Sequence, residues 1–266
     1  MSESLSAYKG NCHCGIVRFT VRIPSLDEHE VLRCNCSVCS RNGYLKVFPK
    51  PGDFAFHSGY EDMTAYTFDT KQFVHRFCSR CGSSVCIEKM DKRELCINVS
   101  LVRSDYLVTR FMIYAQARLF EDFDETKISI KSDDRKSKGT TYTATDDVNW
   151  GMTPELKVAS EVPYRASCHC GMVAYTVQLP QPLETYKVNK CNCSICTKNG
   201  YLLVYPLRTS VVFHRGWDNL KEYSFGNKIK PHKFCTTCGS SILIDFKDVM
   251  TESGPGREYG INVSGR

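Results

Sequence analysis

Phe77-Cys78-Ser79-Arg80-Cys81-Gly82-Ser83-Ser84 returns 157 residues later as Phe234-Cys235-Thr236-Thr237-Cys238-Gly239-Ser240-Ser241. Upstream of each knuckle stands Cys-Asn-Cys-Ser-x-Cys (Cys34, Cys36 and Cys39; Cys191, Cys193 and Cys196), and before that Cys-His-Cys-Gly (Cys12 and Cys14; Cys168 and Cys170). The match runs past the cysteines: NGYLKVFP at 42–49 answers NGYLLVYP at 199–206, and FHSGYEDMTAYTF answers FHRGWDNLKEYSF. The offset of 157 carries the motif cysteines from Cys34 onward, the first cysteine pair needs 156, and a further insertion precedes the shared Ile-Asn-Val-Ser at 97–100 and 261–264. A one-residue difference between loops is what a retained fold tolerates. The chain therefore reads as two copies of one metal-binding module, at 1–130 and 161–266, joined by a polar connection over 131–160.

Sixteen cysteines among 266 residues fall below the density of small disulfide scaffolds. The opening MSESLSAYKG carries no apolar run of the kind a signal peptide or membrane anchor needs. The expected compartment is a reducing one, the cytoplasm, where clustered cysteines read as metal ligands and not as disulfides. The net charge of +6 is modest and scattered, and the mixed run KSDDRKSKG at 131–139 reads as a solvated connection. A nucleic-acid partner would call for a basic tail or interleaved aromatic and basic residues, and neither is present. The expected partner is a small molecule, with no membrane involved.

Around the cysteines run short alternating segments rich in Val, Ile, Phe, Tyr and Thr, such as VRFTV at 17–21 and VAYTV at 173–177. These are strand signals, and no segment carries a long apolar stripe of 3.6-residue period. Each module is expected to be mainly β. Copy 1 continues past Ile97-Asn98-Val99-Ser100 with a strand-rich segment to Phe120, whereas the matching Ile261-Asn262-Val263-Ser264 has little after it. The second module is accordingly read as short of that segment.

Cysteines at i and i+2 on a strand point to one face, and a Cys-x-x-Cys turn offers two sulfurs from one knuckle. Cys12, Cys14, Cys78 and Cys81 are therefore assigned to one structural zinc, and Cys168, Cys170, Cys235 and Cys238 to its counterpart. A closed four-thiolate site leaves no position for substrate and stabilises its module by about 10–16 kcal/mol. Cys34, Cys36 and Cys39, and likewise Cys191, Cys193 and Cys196, leave a zinc one ligand short, and an open position marks a catalytic zinc. The expectation is up to two zinc ions per domain and four per chain. Closure of the trios by His75 and His232, or reduced core cysteines with no metal, are the competing readings. Spacing alone also allows Cys34 and Cys36 to join Cys78 and Cys81. Cys86 and Cys96, replaced by Leu243 and Gly260, read as small core residues. His57 and His214 read first as structural, and Arg41 and Lys198, just after the trios, offer a cation to a substrate carboxylate.

In combination, Cys-His-Cys-Gly, Cys-Asn-Cys-Ser-x-Cys with a glycine four residues on (Gly43, Gly200), and Phe-Cys-x-x-Cys-Gly-Ser-Ser resemble the glutathione-dependent formaldehyde-activating enzyme and centromere protein V (CENP-V/GFA) family. The motifs cover most of both modules. The resemblance implies two tandem Mss4-like (β-tent) zinc-binding domains, with a structural zinc in each quartet and a more labile, catalytic zinc in each trio. It also implies an enzyme that joins glutathione to formaldehyde as S-hydroxymethylglutathione, a carbon–sulfur lyase-type reaction. The centromere relative and the basic balance suggest a different class, a non-enzymatic zinc-ribbon module that binds protein or chromatin. Two features depart from the family pattern: Arg41-Asn42-Gly43 and Lys198-Asn199-Gly200 replace a small-residue stretch, and copy 2 is read as lacking the C-terminal segment; the tandem arrangement is itself not the simple family one.

Overall fold

The computed structural model describes residues 4–89, 112–137, 142, 145–151, 161–247, 249–251 and 253–264. The chain divides into two compact units, Met1–Cys39 with Tyr44–Lys138, and Ser40–Gly43 with Gly139–Arg266. Both are mainly β, and among the described residues no helix is long and apolar enough to cross a membrane.

In the first unit β1 (Ser6–Asn11), β2 (Arg18–Ile23) and β5 (Phe54–Ser58) form an antiparallel sheet in the order β1-β2-β5. Period-two alternation puts Phe19, Val21 and Ile23 of β2 inside. The Phe19 ring stacks on Phe54 at 5.3 Å. A second sheet holds β3 (Val31–Cys34), β4 (Lys46–Val47), β6 (Met63–Tyr66), β7 (Phe73–Cys78), β8 (Ser84–Lys89), β9 (Met112–Gln116) and β10 (Ile130–Asp133), in the order β10-β3-β4-β9-β8-β7-β6. All its pairings are antiparallel except that of β10 with β3. β10 takes in Lys131–Asp133, residues that the charge run had placed in the connection between modules. After β9, Leu119 and Phe120 are buried, and the Phe120 ring stacks on Tyr8 of β1 at 5.3 Å.

The second unit repeats the plan with β11 (Val162–Ser167), β12 (Ala174–Leu179) and β14 (Val211–Arg215) in one sheet. Its other sheet runs β13-β20-β17-β16-β15, from β13 (Leu203–Val204), β15 (Leu220–Tyr223), β16 (His232–Cys235), β17 (Ser241–Asp245) and β20 (Tyr259–Asn262). A small hairpin of β18 (Met250–Thr251) and β19 (Gly254–Pro255) occupies the insertion before β20.

Pairing corrects the expected alignment of the two copies. Val47 of β4 faces Ala115 of β9, and Val204 of β13 faces Ile261 of β20. The Gln116 side-chain oxygen accepts from Leu45 N at 2.8 Å, and the Asn262 oxygen accepts from Leu202 N at 3.2 Å. The strand at 259–262 thus holds the place of Met112–Gln116, so the second module does possess this strand. The likeness of residues 97–100 to 261–264 is one of letters and not of place in the sheet; residues 97–100 lie outside the described residues, as does Cys96. Among the described residues of the second module nothing corresponds to Leu119–Phe120 or to β10. Cys86 is fully buried, as a small core residue should be.

Candidate metal centres

Each quartet is assembled by two tight turns. In the first module Gly15 N donates to Cys12 O at 2.9 Å, and in the knuckle Gly82 N donates to Cys78 O and Cys78 N to Ser83 O, both at 2.9 Å. The second module repeats the knuckle, with Gly239 N to Cys235 O and Cys235 N to Ser240 O, again at 2.9 Å. Gly82 (φ 72°) and Gly239 (φ 73°) lie in the left-handed region, which side chains beyond glycine seldom adopt. A register shift just before each knuckle, at Arg76/Phe77 and Lys233/Phe234, turns the strand end towards the first cysteine pair.

The sulfurs of Cys12, Cys14, Cys78 and Cys81 all lie within 4.8 Å of one another, as do those of Cys168, Cys170, Cys235 and Cys238. Cys12 and Cys14 are 3.5 Å apart, Cys14 and Cys78 3.6 Å, Cys168 and Cys170 3.4 Å, and Cys170 and Cys235 3.6 Å. Four sulfurs at zinc–sulfur bonding distance on a regular tetrahedron would be roughly 3.8 Å apart, so the donor set fits zinc. Outer donors are in place: Val17 N reaches Cys12 Sγ at 3.4 Å, Val173 N reaches Cys168 Sγ at 3.2 Å, and Asn219 Nδ2 reaches Cys235 Sγ at 3.3 Å. Such donors spread thiolate charge and fix sulfur orientation.

The remaining cysteines gather separately. Cys34 ends β3, Cys39 lies in the short helix Ser37–Arg41, and with Cys36 between them their sulfurs fall within 4.8 Å of one another. Cys191, Cys193 and Cys196 gather in the same way, the last in the helix Ser194–Asn199. The alternative grouping of Cys34 and Cys36 with Cys78 and Cys81 is not the one adopted. Among the described residues no histidine, aspartate or glutamate joins either trio. His75 and His232 instead lie in aromatic surroundings, the first beside Tyr44 and Phe68 at 5.8 and 5.6 Å, the second beside Tyr201 and Phe225 at 5.6 and 5.8 Å. His57 and His214 make cross-strand bonds to Thr20 and Thr176, each 2.7 Å long, a structural role. Arg41 and Lys198 stand half-exposed on the two short helices.

The trios differ in cover. Cys34 and Cys39 are buried and Cys36 half-buried, whereas Cys191 is half-buried and Cys193 exposed. β10 accounts for the difference, since Asp133 pairs with Cys34 and the segment after it grips Asn35 inside the motif. Asn35 donates to Asp134 Oδ1 at 2.7 Å, and its own oxygen accepts from Arg135 N and Lys136 N at 2.8 Å each. Hydrogen bonds from Cys36 and Cys39 draw the Cys34 thiol down to about 2, against its burial. A bond from Cys196 draws Cys193 down to about 5.

Sequence reasoning missed Lys46. It sits on β4, only 8% exposed, with its ammonium over the rings of Phe48 and Tyr114 at 5.8 and 5.9 Å. The signal available was the one pair of the two differing positions in the matching octets that changes chemical character, Lys46 in NGYLKVFP against Leu203 in NGYLLVYP, the other being Phe48 against Tyr205.

A family model described as glutathione-dependent formaldehyde-activating enzyme matches residues 7–117 and 163–255. A Halomonas elongata protein, provisionally named a glutathione-dependent formaldehyde-activating enzyme, is 32% identical over 87 residues, covering 30% of this chain and 54% of the relative. The chain thus spans about half the length of that curated relative. Among solved structures, the crystal structure of a Rhodobacter sphaeroides protein is similar at 32% identity, over 38% of this chain and 85% of the other, with a TM-score of 0.32. The family match takes in both quartets and both trios and extends over well more than half of the residues. The chain belongs to the glutathione-dependent formaldehyde-activating enzyme family.

Proposed function

We propose that the chain is a zinc enzyme that joins glutathione to formaldehyde, giving S-hydroxymethylglutathione, a reaction of the carbon–sulfur lyase type. Cys34, Cys36 and Cys39 hold the reacting centre of the first module, and Cys191, Cys193 and Cys196 are its counterpart. Cys12, Cys14, Cys78 and Cys81, with Cys168, Cys170, Cys235 and Cys238, hold structural zinc. The observation that carries this reading is the donor set of each trio, three sulfurs in one place with no fourth protein ligand beside them among the described residues. Zinc held by three thiolates leaves a position for an outside ligand, and there it supplies the means to keep a thiol ionised as a nucleophile at neutral pH.

The chain's own residues do the rest. Burial keeps water from Cys34 and Cys39, while half-buried Cys36 turns the site towards its substrates. Asn35, fastened by residues 134–136, holds the loop between Cys34 and Cys36 in one shape, which is the preorganisation that positioning requires. The family and the name of the Halomonas relative support the choice of thiol and aldehyde. A reducing, cytoplasmic setting suits a protein whose described cysteines are all free thiols.

Glutathione and formaldehyde combine spontaneously, so the test is the rate of exchange between free and thiol-bound formaldehyde at equilibrium, followed by exchange NMR. The zinc-loaded chain is expected to accelerate exchange at least tenfold over buffer. The double variant Cys36→Ser, Cys193→Ser is expected to return the rate to that of buffer. Undiminished acceleration by the double variant would exclude the trios as the reacting centre.

A further inference from the structure

A lysine is seldom buried unless a counter-ion accompanies it. Lys46 is only 8% exposed, and among the described residues its ammonium meets ring faces and no hydrogen-bond acceptor. Lys46 lies opposite Leu32 of β3, and Cys34 follows Leu32 by two residues on the same face of that strand, so a lysine, a cation at neutral pH, stands beside the trio. The neighbouring Arg135 is already engaged with Asp133 at 2.9 Å.

Balancing the charge of three thiolates is the simplest role for such a cation, but the second module argues against it. Its trio has the same three sulfurs, yet Leu203 stands where Lys46 does, since Lys46 pairs with Gln116 and Leu203 with Asn262. The aromatic wall changes in step: Tyr114 lies opposite Ile87, and Gly260 lies opposite Ile244, so the second module has glycine in place of the tyrosine. A trio is therefore built without the lysine, so gathering three cysteines does not by itself call for Lys46.

We propose that Lys46 is the oxygen-binding cation of the first module's site, donating hydrogen bonds to the aldehyde oxygen as thiol sulfur adds to its carbon, and that the second module lacks this function. This rests on the proposed reaction. The sulfur–carbon bond forms with the sulfur's electron pair, and the carbon–oxygen π pair moves to oxygen. The proton that left the thiol returns to that oxygen through solvent, leaving Lys46 an ammonium throughout. A preorganised donor aimed at a developing oxyanion is worth roughly 100- to 1,000-fold in rate.

The test compares Lys46→Leu, Lys46→Gln and Lys46→Arg with the zinc-loaded wild-type chain by the same exchange measurement, with zinc per chain and calorimetric binding of formate as independent readouts. Formate presents a one-carbon oxyanion to the same donor. The expected result is a loss of about 100-fold in catalysed rate for Leu and Gln, partial recovery with Arg, unchanged zinc, and formate binding that the Leu and Gln variants lose. Rates within twofold of wild type, or a loss that only follows zinc, would overturn the role of Lys46 while leaving the reaction standing. Wild-type protein that does not accelerate exchange would overturn the reaction and this role with it.

Discussion

Gly59 and Gly216 close the Phe-His-x-Gly turns at φ 76° and 79°, and a Cβ on either would collide with the carbonyl oxygen of Ile16 or Met172. Strain of that backbone region costs a side chain about 1–3 kcal/mol before any clash, and the obstructing atoms are main chain, which yields least. Gly59→Ala is expected to destabilise the first module by about 3 kcal/mol and Gly216→Ala the second by a similar amount, read from urea denaturation. A loss under 0.5 kcal/mol, roughly the scatter of surface substitutions, would show that the turns relax freely. The sequence repeats both glycines within the matching FHSG and FHRG stretches, but the need for glycine there arises from a carbonyl over forty positions away, beyond the reach of local pattern. Lys46 was hidden for a different reason. A single lysine in a two-residue strand reads as solvent-facing, and only the ladder puts it indoors beside the trio.

At the scale of elements, the cysteine groups were legible because i, i+2 strand pairs and Cys-x-x-Cys turns have local geometry that spacing alone specifies. The strands around them were legible by alternation, as β2 illustrates with Phe19, Val21 and Ile23. β9 and β20 were not matched, because their equivalence is written in pairing and in one side-chain amide, Gln116 against Asn262, and not in identical letters. β10 was read as a charged connection because it earns its place through Asp133, Asp134 and Arg135 and not through apolar burial. The amide role is testable. Gln116 is fully buried, and its oxygen is the acceptor for Leu45 N. Gln116→Ala leaves that donor unmet inside the sheet and is expected to cost about 1–3 kcal/mol, checked by chemical denaturation. Gln116→Asn, which shortens the reach but keeps the acceptor, should cost less, and equal losses for the two would argue that packing and not the bond matters.

For the molecule as a whole, the quartets and trios predict two classes of metal in one chain. Four-sulfur sites with fitting geometry and outer donors should hold zinc through a chelator challenge that strips three-sulfur sites, of which the second is the more exposed. Native mass spectrometry during the challenge is expected to show two ions leaving first, with the fold retained, and unfolding only when the remaining ions go, since metal in closed sites carries folding free energy. Loss of all ions in one step would contradict the division into structural and reacting centres. One earlier feature also bears on how the protein is made. Asn35, between the first two cysteines of the first trio, is fastened by residues about a hundred positions later in the chain. At synthesis rates of about 5–20 residues per second, Cys34, Cys36 and Cys39 leave the ribosome roughly 5–20 s before their clasp exists. During that interval nothing from residues 134–136 yet holds the loop, and the three thiols stand open to oxidants and stray metals.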